Sequence, residues 1–302
     1  MEEGLRFAAI DIGSNAIRLL FTRVIINSQP IFIKESLIRM PLRLGHDAFK
    51  HGKITEKTEK KFIETIQGFN SLIKAYDPIA MRACATSAMR SSSNRIRIVE
   101  KIMHDTGIKI EIISGKEEAR LIIINHIERI LKPKFYYIHI DVGGGSTEIS
   151  IIHNKKVIYS KSFAIGSVRL LEKQVIKKDW DEMEKWIKDN TSNLIPLMGM
   201  GSGGNINKIS SLLGKQKGEK IEVNDLSNIL DKIKPLNYHD RIVKLGMRPD
   251  RADVIIHAGS IYLKCLEWSG ANNIIVPQVG LPDGIVTKIF LDYQNHFSGD
   301  EN

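Results

Sequence analysis

Hydrophobic and polar positions alternate from residue 5 to residue 38, where Ile, Leu, Phe and Val dominate, and this period of two predicts three strands. The period then changes. Phe62, Ile66, Phe69, Ile73 and Tyr76 follow one another at spacings of 4, 3, 4 and 3, which places them on one face of an amphipathic helix. A strand near 79–85, a helix near 94–106 and a strand near 109–113 complete the first series. After a helix expected over 115–131 the series restarts, with strands near 135–141, 146–152 and 156–164. Helices near 167–175 and 180–192, a short strand in "PLMGMG", a helix from about 204 and two polar helical segments over 222–245 come next. A helix over 251–268, a strand over 273–278 and a closing helix over 283–293 end the chain. Each half opens with antiparallel strands and then alternates strand with helix. Two α/β domains related by duplication account for this most simply. Their expected spans are 1–122 and 123–302, and the last helix is free to pack back on the first domain.

The two halves also repeat a turn. "FAAIDIGSNAIRLL" (7–20) and "YIHIDVGGGSTEISII" (137–152) both read strand, Asp, glycine turn, strand, with Asp11 and Asp141 at matching places. Glycine permits positive φ and close approach of a ligand. Successive backbone N–H groups in such a turn, with the Ser14, Asn15, Ser146 and Thr147 side chains, suit phosphate oxygens. An Asp at the rim suits Mg²⁺ or its water. A lone D-x-G turn is an ordinary hairpin; two copies with matching flanks point to a shared ligand.

Three further segments bear on chemistry. "LMGMGSGGNINKI" (197–209) is strand, glycine loop, helix, and matches neither a Walker A loop nor G-x-G-x-x-G, because residue 206 is Ile. In "EIISGKEEARLIII" (111–124), Ser114 and Glu117 form S-x-x-E, a capping box that gives Glu117 a structural role. Glu118 has no such role, and in the first helical turn the dipole favours its ionised form, which suits a general base. "ACATSAMRSSSN" (83–94) reads as a strand running into a polar loop around Arg90. Arg90 and Arg18 are both candidates for phosphate by their fork geometry, against the plainer reading of surface ion pairs. His239 and Asp240 in "YHDR" are set aside as metal ligands, since no other histidine stands at ligand spacing near them.

Composition narrows the class. The chain has 302 residues, 42% hydrophobic and 26% charged, with two cysteines, Cys84 and Cys265, in apolar settings that predict buried thiols. No apolar run is long enough to span a bilayer and no signal-type segment opens the sequence, so the expectation is a soluble cytoplasmic protein without a membrane partner. The net charge of +9 favours anionic partners, but it is spread over lysines on helix surfaces with no long basic block, and nucleic acid is not expected.

In order along the chain, "AAIDIGSNAIRLL", "ATSAMR", "IEIISGKEEARL", "IDVGGGSTEIS", "AIGSVRL" (164–170), "GMGSGGNINKI" and "RADVIIHAGSIYL" (251–263) resemble the exopolyphosphatase/guanosine pentaphosphate phosphohydrolase (Ppx/GppA) family of the actin-like ATPase superfamily. The resemblance implies two actin-like (ribonuclease H-like) α/β domains with an interdomain active-site cleft. It implies Mg²⁺-dependent hydrolysis of a terminal phosphoanhydride. Glu118 matches the family's general base, and Asp141 and Glu148 match an acidic pair linked to Mg²⁺ and water. Asp11, also a candidate metal ligand, matches phosphate-contacting loops together with Gly13, Ser14, Asn15, Gly143, Gly144, Gly145, Ser146, Gly201, Ser202, Gly203 and Gly204. Arg18 and Arg90 match phosphate contacts. The expected substrate is inorganic polyphosphate. The alternatives are pppGpp, cleaved to ppGpp, or a (p)ppGpp-binding sensor of weak activity; a sugar or carboxylate kinase of the same fold fits S-G-x-E-E poorly. A homodimer is compatible with the family. Two departures stand out. "GLPDG" (280–284) replaces the family's G-L-R-E-G, losing a cation, and the sequence reads as a short form without the additional C-terminal helical domain.

Overall fold

The computed structural model describes residues 4–124 and 131–298. The alternating N-terminal segment forms three strands, β1 (Leu5–Ile12), β2 (Ile17–Ile25) and β3 (Ile31–Met40), in an antiparallel meander. Helix α1 (Leu44–His51) follows, a short element that the sequence pattern did not announce. Its start at Arg43 is a left-handed residue with no capping side chain, so neither a cap nor an apolar run marks it. Helix α2 (Glu56–Tyr76) is the amphipathic helix expected from the 4-3 spacing, and buries Phe62, Ile66, Phe69 and Ile73. It begins nearly two turns before the first of these, where the Thr55 hydroxyl accepts from the Thr58 amide. Next come β4 (Ala80–Ala85), α3 (Ser87–Ser91), α4 (Arg95–Thr106) and β5 (Ile110–Ile112). Residues 87–91, expected as a polar loop, are helical, because the Arg90 amide closes a turn on the Thr86 carbonyl. Helix α5 (Gly115–Ile123) carries Glu117 and Glu118; of the rest of the helix expected to residue 131, positions 124 and 131 are not helical and 125–130 lie outside the described residues.

The second series is β6 (Tyr136–Val142), β7 (Thr147–His153), β8 (Lys156–Phe163), α6 (Ser167–Leu171), α7 (Lys177–Thr191), β9 (Leu197–Ser202) and α8 (Gly204–Leu212). The chain continues through β10 (Lys220–Glu222), α9 (Val223–Ile233), α10 (Tyr238–Val243), α11 (Pro249–Ala252), α12 (Ile255–Ser269), β11 (Asn273–Ile275) and α13 (Leu281–Ser298). The described residues fall into two compact units. One comprises 4–114, 121–124 and 281–298; the other comprises 115–120 and 131–280.

Duplication is visible in the sheets. The first unit orders its strands β3-β2-β1-β4-β5, and the second orders its own β8-β7-β6-β9-β11, with β10 antiparallel at the edge. In both, the meander is antiparallel and the next two strands pair parallel, as connections through helices require. The core of the second unit joins Ile138, Ile140 and Val142 of β6 and Ile149 and Ile151 of β7 to Ile261, Tyr262, Cys265 and Leu266 of α12. Cys84 and Cys265 are buried free thiols, and burial pushes the Cys265 pKa up.

Helix α13 closes the first unit's core with Ile285, Val286, Ile289 and Phe290, the last set edge-on to Phe7 at 6.0 Å and Phe32 at 5.4 Å. Its first turn is "LPDG". Pro282 sits where a helix leaves its amides unbonded, and Asp283 pairs with Lys34 at 2.5 Å while facing the helix dipole favourably. Gly284 is required by contact, since a Cβ there would lie 1.7 Å from the Leu121 carbonyl oxygen. Backbone cannot yield as a side chain can, so Gly284→Ala is expected to destabilise the first unit by roughly 3 kcal/mol or more. Urea unfolding checks this; an unchanged midpoint would show that the α5–α13 approach is not needed for the fold.

Candidate active site

The repeated turns close alike. The Gly13 amide donates to the Ala16 carbonyl at 3.2 Å, and the Gly143 amide donates to the Ser146 carbonyl at 2.9 Å. A Cβ on either glycine would come within 3.1 Å of that same oxygen. None of Gly13, Gly143, Gly144 and Gly145 has positive φ. Of the two freedoms that glycine permits, these turns do not use positive φ; they need glycine for close approach. In the third glycine loop Gly203 does take positive φ, +105°.

Close approach has a specific purpose. Behind the second turn, the start of α6 takes up the carbonyls. Ser167 N–H donates to Gly143 O at 3.0 Å, Val168 N–H to Gly144 O at 2.8 Å, and Arg169 Nε to Gly145 O at 2.9 Å. Gly166 makes this possible, since its Cβ would stand 2.5 Å from the Gly144 carbonyl. The first turn has the same backing from the start of α1. Arg43 N–H donates to Asn15 O at 3.1 Å and Gly45 N–H to Ser14 O at 2.7 Å, with Gly45 set against the Ser14 side chain. In a trans peptide the N–H points opposite to the C=O. Drawing the carbonyls back thus turns the amides of Gly144, Gly145 and Ser146, and of Asn15 and Ala16, to the other side of each turn. Converging amides of this kind form anion-binding concavities.

The register then sets the side chains in rows. In the second unit, Ser162, Glu148, Asp141 and Ser202 are successive cross-strand partners over β8, β7, β6 and β9. Ser162 Oγ donates to Glu148 Oε1 at 2.7 Å and Ser202 Oγ donates to Asp141 Oδ1 at 2.8 Å. Two buried carboxylates stand side by side, each oriented by a serine. In the first unit the corresponding row is Arg39, Arg18, Asp11 and Cys84 over β3, β2, β1 and β4. There the Asp is hydrogen-bonded to Arg18 instead of facing an acid. Burial raises the Asp11 pKa, while Arg18 and Arg39 pull it down. The duplicated turns thus differ in charge: the first row carries an excess of guanidinium, the second an excess of carboxylate.

Helix α5 begins against the acidic row. A Cβ on Gly115 would meet Ser162 Oγ at 2.5 Å and Glu148 Oε1 at 3.5 Å. Glu118 follows within the first turn and is buried at 7% exposure. Glu117 is half-buried and pairs with Arg120 at 3.7 Å. Arg90 on α3 donates to the Ile113 carbonyl at 2.8 Å. In the third loop, Gly201 faces Ile206, Ile274 and Tyr262 of the core, whereas Gly204 opens α8 beneath the Arg251 guanidinium. Ser202 is fully buried, with its hydroxyl on Asp141. Among the described residues, no group of three or more His, Cys, Asp or Glu side chains is arranged to cage a metal. Sequence reasoning passed over His139, Gly166, Arg169 and Arg251. The signal for three of these was the motif-like character of "AIGSVRL" and "RADVIIHAGSIYL"; nothing in the sequence singled out His139.

A duplicated 3-2-1-4-5 sheet with a glycine turn after each first strand is the actin-like α/β class. The model of the Ppx/GppA phosphatase family matches residues 35–292, and the chain belongs to that family. Solved structures agree on the fold. An exopolyphosphatase from Cytophaga hutchinsonii superposes with a TM-score of 0.82 at 24% identity, covering 95% of this chain and 98% of that one. The Aquifex aeolicus Ppx/GppA family member gives 0.75 at 24% identity, covering 96% and 98%. Among curated relatives, a bifunctional 3-dehydroquinate synthase/phosphatase of Fusobacterium nucleatum is 28% identical over 90% of this chain, which spans 44% of that protein's length. Exopolyphosphatase 1 of Mycobacterium leprae is 22% identical over 94% of this chain and 89% of its own. No helix among the described residues is long and apolar enough to cross a membrane.

Proposed function

We propose that the protein hydrolyses the terminal phosphoanhydride of inorganic polyphosphate, releasing orthophosphate. The observation that carries this is the start of α5 set against the Asp141–Glu148 row, which brings Glu118's helical turn to a pair of buried carboxylates. Family membership and the relatives named exopolyphosphatase support the same reading. Glu118, in the first turn of the helix, accepts a proton from water as the water's oxygen bonds to the terminal phosphorus. The bond from that phosphorus to its bridging oxygen breaks, and the shortened chain leaves with the electron pair. Asp141 and Glu148 fit a hard divalent cation. They are oxygen donors, adjacent on one sheet face, with one oxygen of each fixed by a serine. Asp141 and Glu148 would be the one or two carboxylates that hold Mg²⁺, a set that suits this ion because it needs no full cage of protein ligands. When bound it neutralises charge on the phosphates. Within the second unit, the backed amides of Gly144, Gly145 and Ser146 hold phosphate oxygens; within the first, the amides of Asn15 and Ala16, Arg18, set by Asp11, and Arg90 suit phosphate oxygens by themselves.

Salt separates polyphosphate from pppGpp. Counterion release makes polyanion affinity fall with ionic strength in proportion to the number of phosphates held. With a net charge of +9, KM for polyphosphate is expected to rise with salt, more steeply for longer chains until the site is filled. KM measured from low to moderate salt, with polymers of several lengths and with pppGpp, checks this. A flat response for every polymer alongside tight pppGpp turnover would move the substrate to the nucleotide.

A further inference from the structure

Strand β6 has two unlike faces. Ile138, Ile140 and Val142 point into the core of the second unit, and His139 and Asp141 occupy the alternate positions. His139 is fully buried, at 0% exposure, in a strand where an aliphatic residue would serve packing as well. Its Nε2 lies 3.0 Å from Ser202 Oγ, and that oxygen lies 2.8 Å from Asp141 Oδ1.

The direction of these bonds follows from counting hydrogens. A hydroxyl has one hydrogen, and an ionised carboxylate only accepts. The Ser202 hydrogen therefore belongs to the bond with Asp141. Ser202 Oγ is left to accept from His139, so Nε2 carries the imidazole proton. Nδ1 is buried and meets no hydrogen-bond partner among the described residues, so nothing competes for that proton. Ser202 is fixed from the other side as well. Tyr262 OH donates to the Ser202 carbonyl and accepts from the Val142 amide at 3.2 Å, locking β9 to β6 just past Asp141.

We propose that His139 and Ser202 are positioning residues, a one-way chain His139 Nε2–H to Ser202 Oγ–H to Asp141 Oδ1 that orients the carboxylate for a divalent cation. The proposal rests on the reading of Asp141 as a cation-holding residue. Partners one bond behind a metal ligand typically contribute about 10–100-fold to affinity by fixing its orientation. Ser202 thereby has a role behind Asp141, although it lies within a glycine loop of the phosphate-binding type.

The test is Mn²⁺ binding to the full chain, followed by calorimetry and by the spin-resonance signal of free Mn²⁺. The variants are Asp141→Asn, His139→Leu, His139→Gln, Ser202→Ala and the His139→Leu/Ser202→Ala pair. Asp141→Asn should weaken binding strongly. His139→Leu and Ser202→Ala should each weaken it about 10–100-fold. His139→Gln, whose amide can donate from the place of Nε2, should stay within about threefold of wild type, and the double variant should be no weaker than the worse single one, because both act through one chain. The ¹⁵N spectrum of wild-type His139 should show a protonated Nε2 and a bare Nδ1, a readout independent of how any variant folds. Wild-type affinity in Asp141→Asn would remove the reading of Asp141 and this proposal with it. Weak binding in Asp141→Asn with wild-type affinity in Ser202→Ala, a His139→Gln variant as impaired as His139→Leu, or a protonated Nδ1 would overturn the positioning chain alone.

Discussion

Replacing Glu118 by alanine is expected to lower kcat for phosphate release by about 10²–10⁴-fold, the usual cost of a lost general base. The helix around it should survive. Alanine is a better helix former than glutamate, and the residue lies in the first turn of α5, where the buried carboxylate is no part of the apolar core cluster. The turn itself is anchored by Gly115 against Ser162 and Glu148, a contact that truncation at position 118 does not touch. The loss should fall on kcat with KM within a few-fold of wild type, because the base acts on water and holds no phosphate. Circular dichroism and thermal unfolding of the variant check that the fold is kept.

Asp141→Asn is expected to give the second large effect, a loss of roughly 100-fold or more together with loss of the response to Mg²⁺. Asparagine keeps the shape and an oxygen that accepts from Ser202, so the change removes charge and little else. Residues that only orient a metal ligand contribute about 10–100-fold, and the ligand itself should contribute no less. Wild-type activity should vanish in chelator and return with Mg²⁺, while the variant responds weakly to both. Wild-type turnover indifferent to chelation would remove the metal role from Asp141 and Glu148.

The strands of both halves were legible because apolar residues are concentrated in them, β1 and β7 being buried along nearly their whole length, and α2 because its apolar stripe holds the 4-3 spacing over many turns. Helix α1 and strand β10 were not. The first starts from a left-handed Arg43 with no cap, and the second is three residues long, stabilised by pairing with β11 far along the chain. The paired turns were plain in sequence, but their glycines were credited with a backbone freedom that they do not use. What they allow is contact with α1 and α6, which only the tertiary structure brings together. Asp141 and Glu148 stood out as an acidic pair through family resemblance; that they are cross-strand neighbours depends on register. His139 looks like any residue of a buried strand until β9, 63 positions later, brings Ser202 beside it.

The central claim is that Glu118, and not its neighbour, serves water in the attack on a phosphoanhydride. The most direct measurement is orthophosphate release from polyphosphate by the wild type, Glu117→Ala and Glu118→Ala in one series with Mg²⁺. The account predicts ready release by the wild type, release within a few-fold of it by Glu117→Ala, and near-complete loss in Glu118→Ala. A folded Glu118→Ala that retains activity while Glu117→Ala loses it, or a wild type that releases no orthophosphate, would contradict the account.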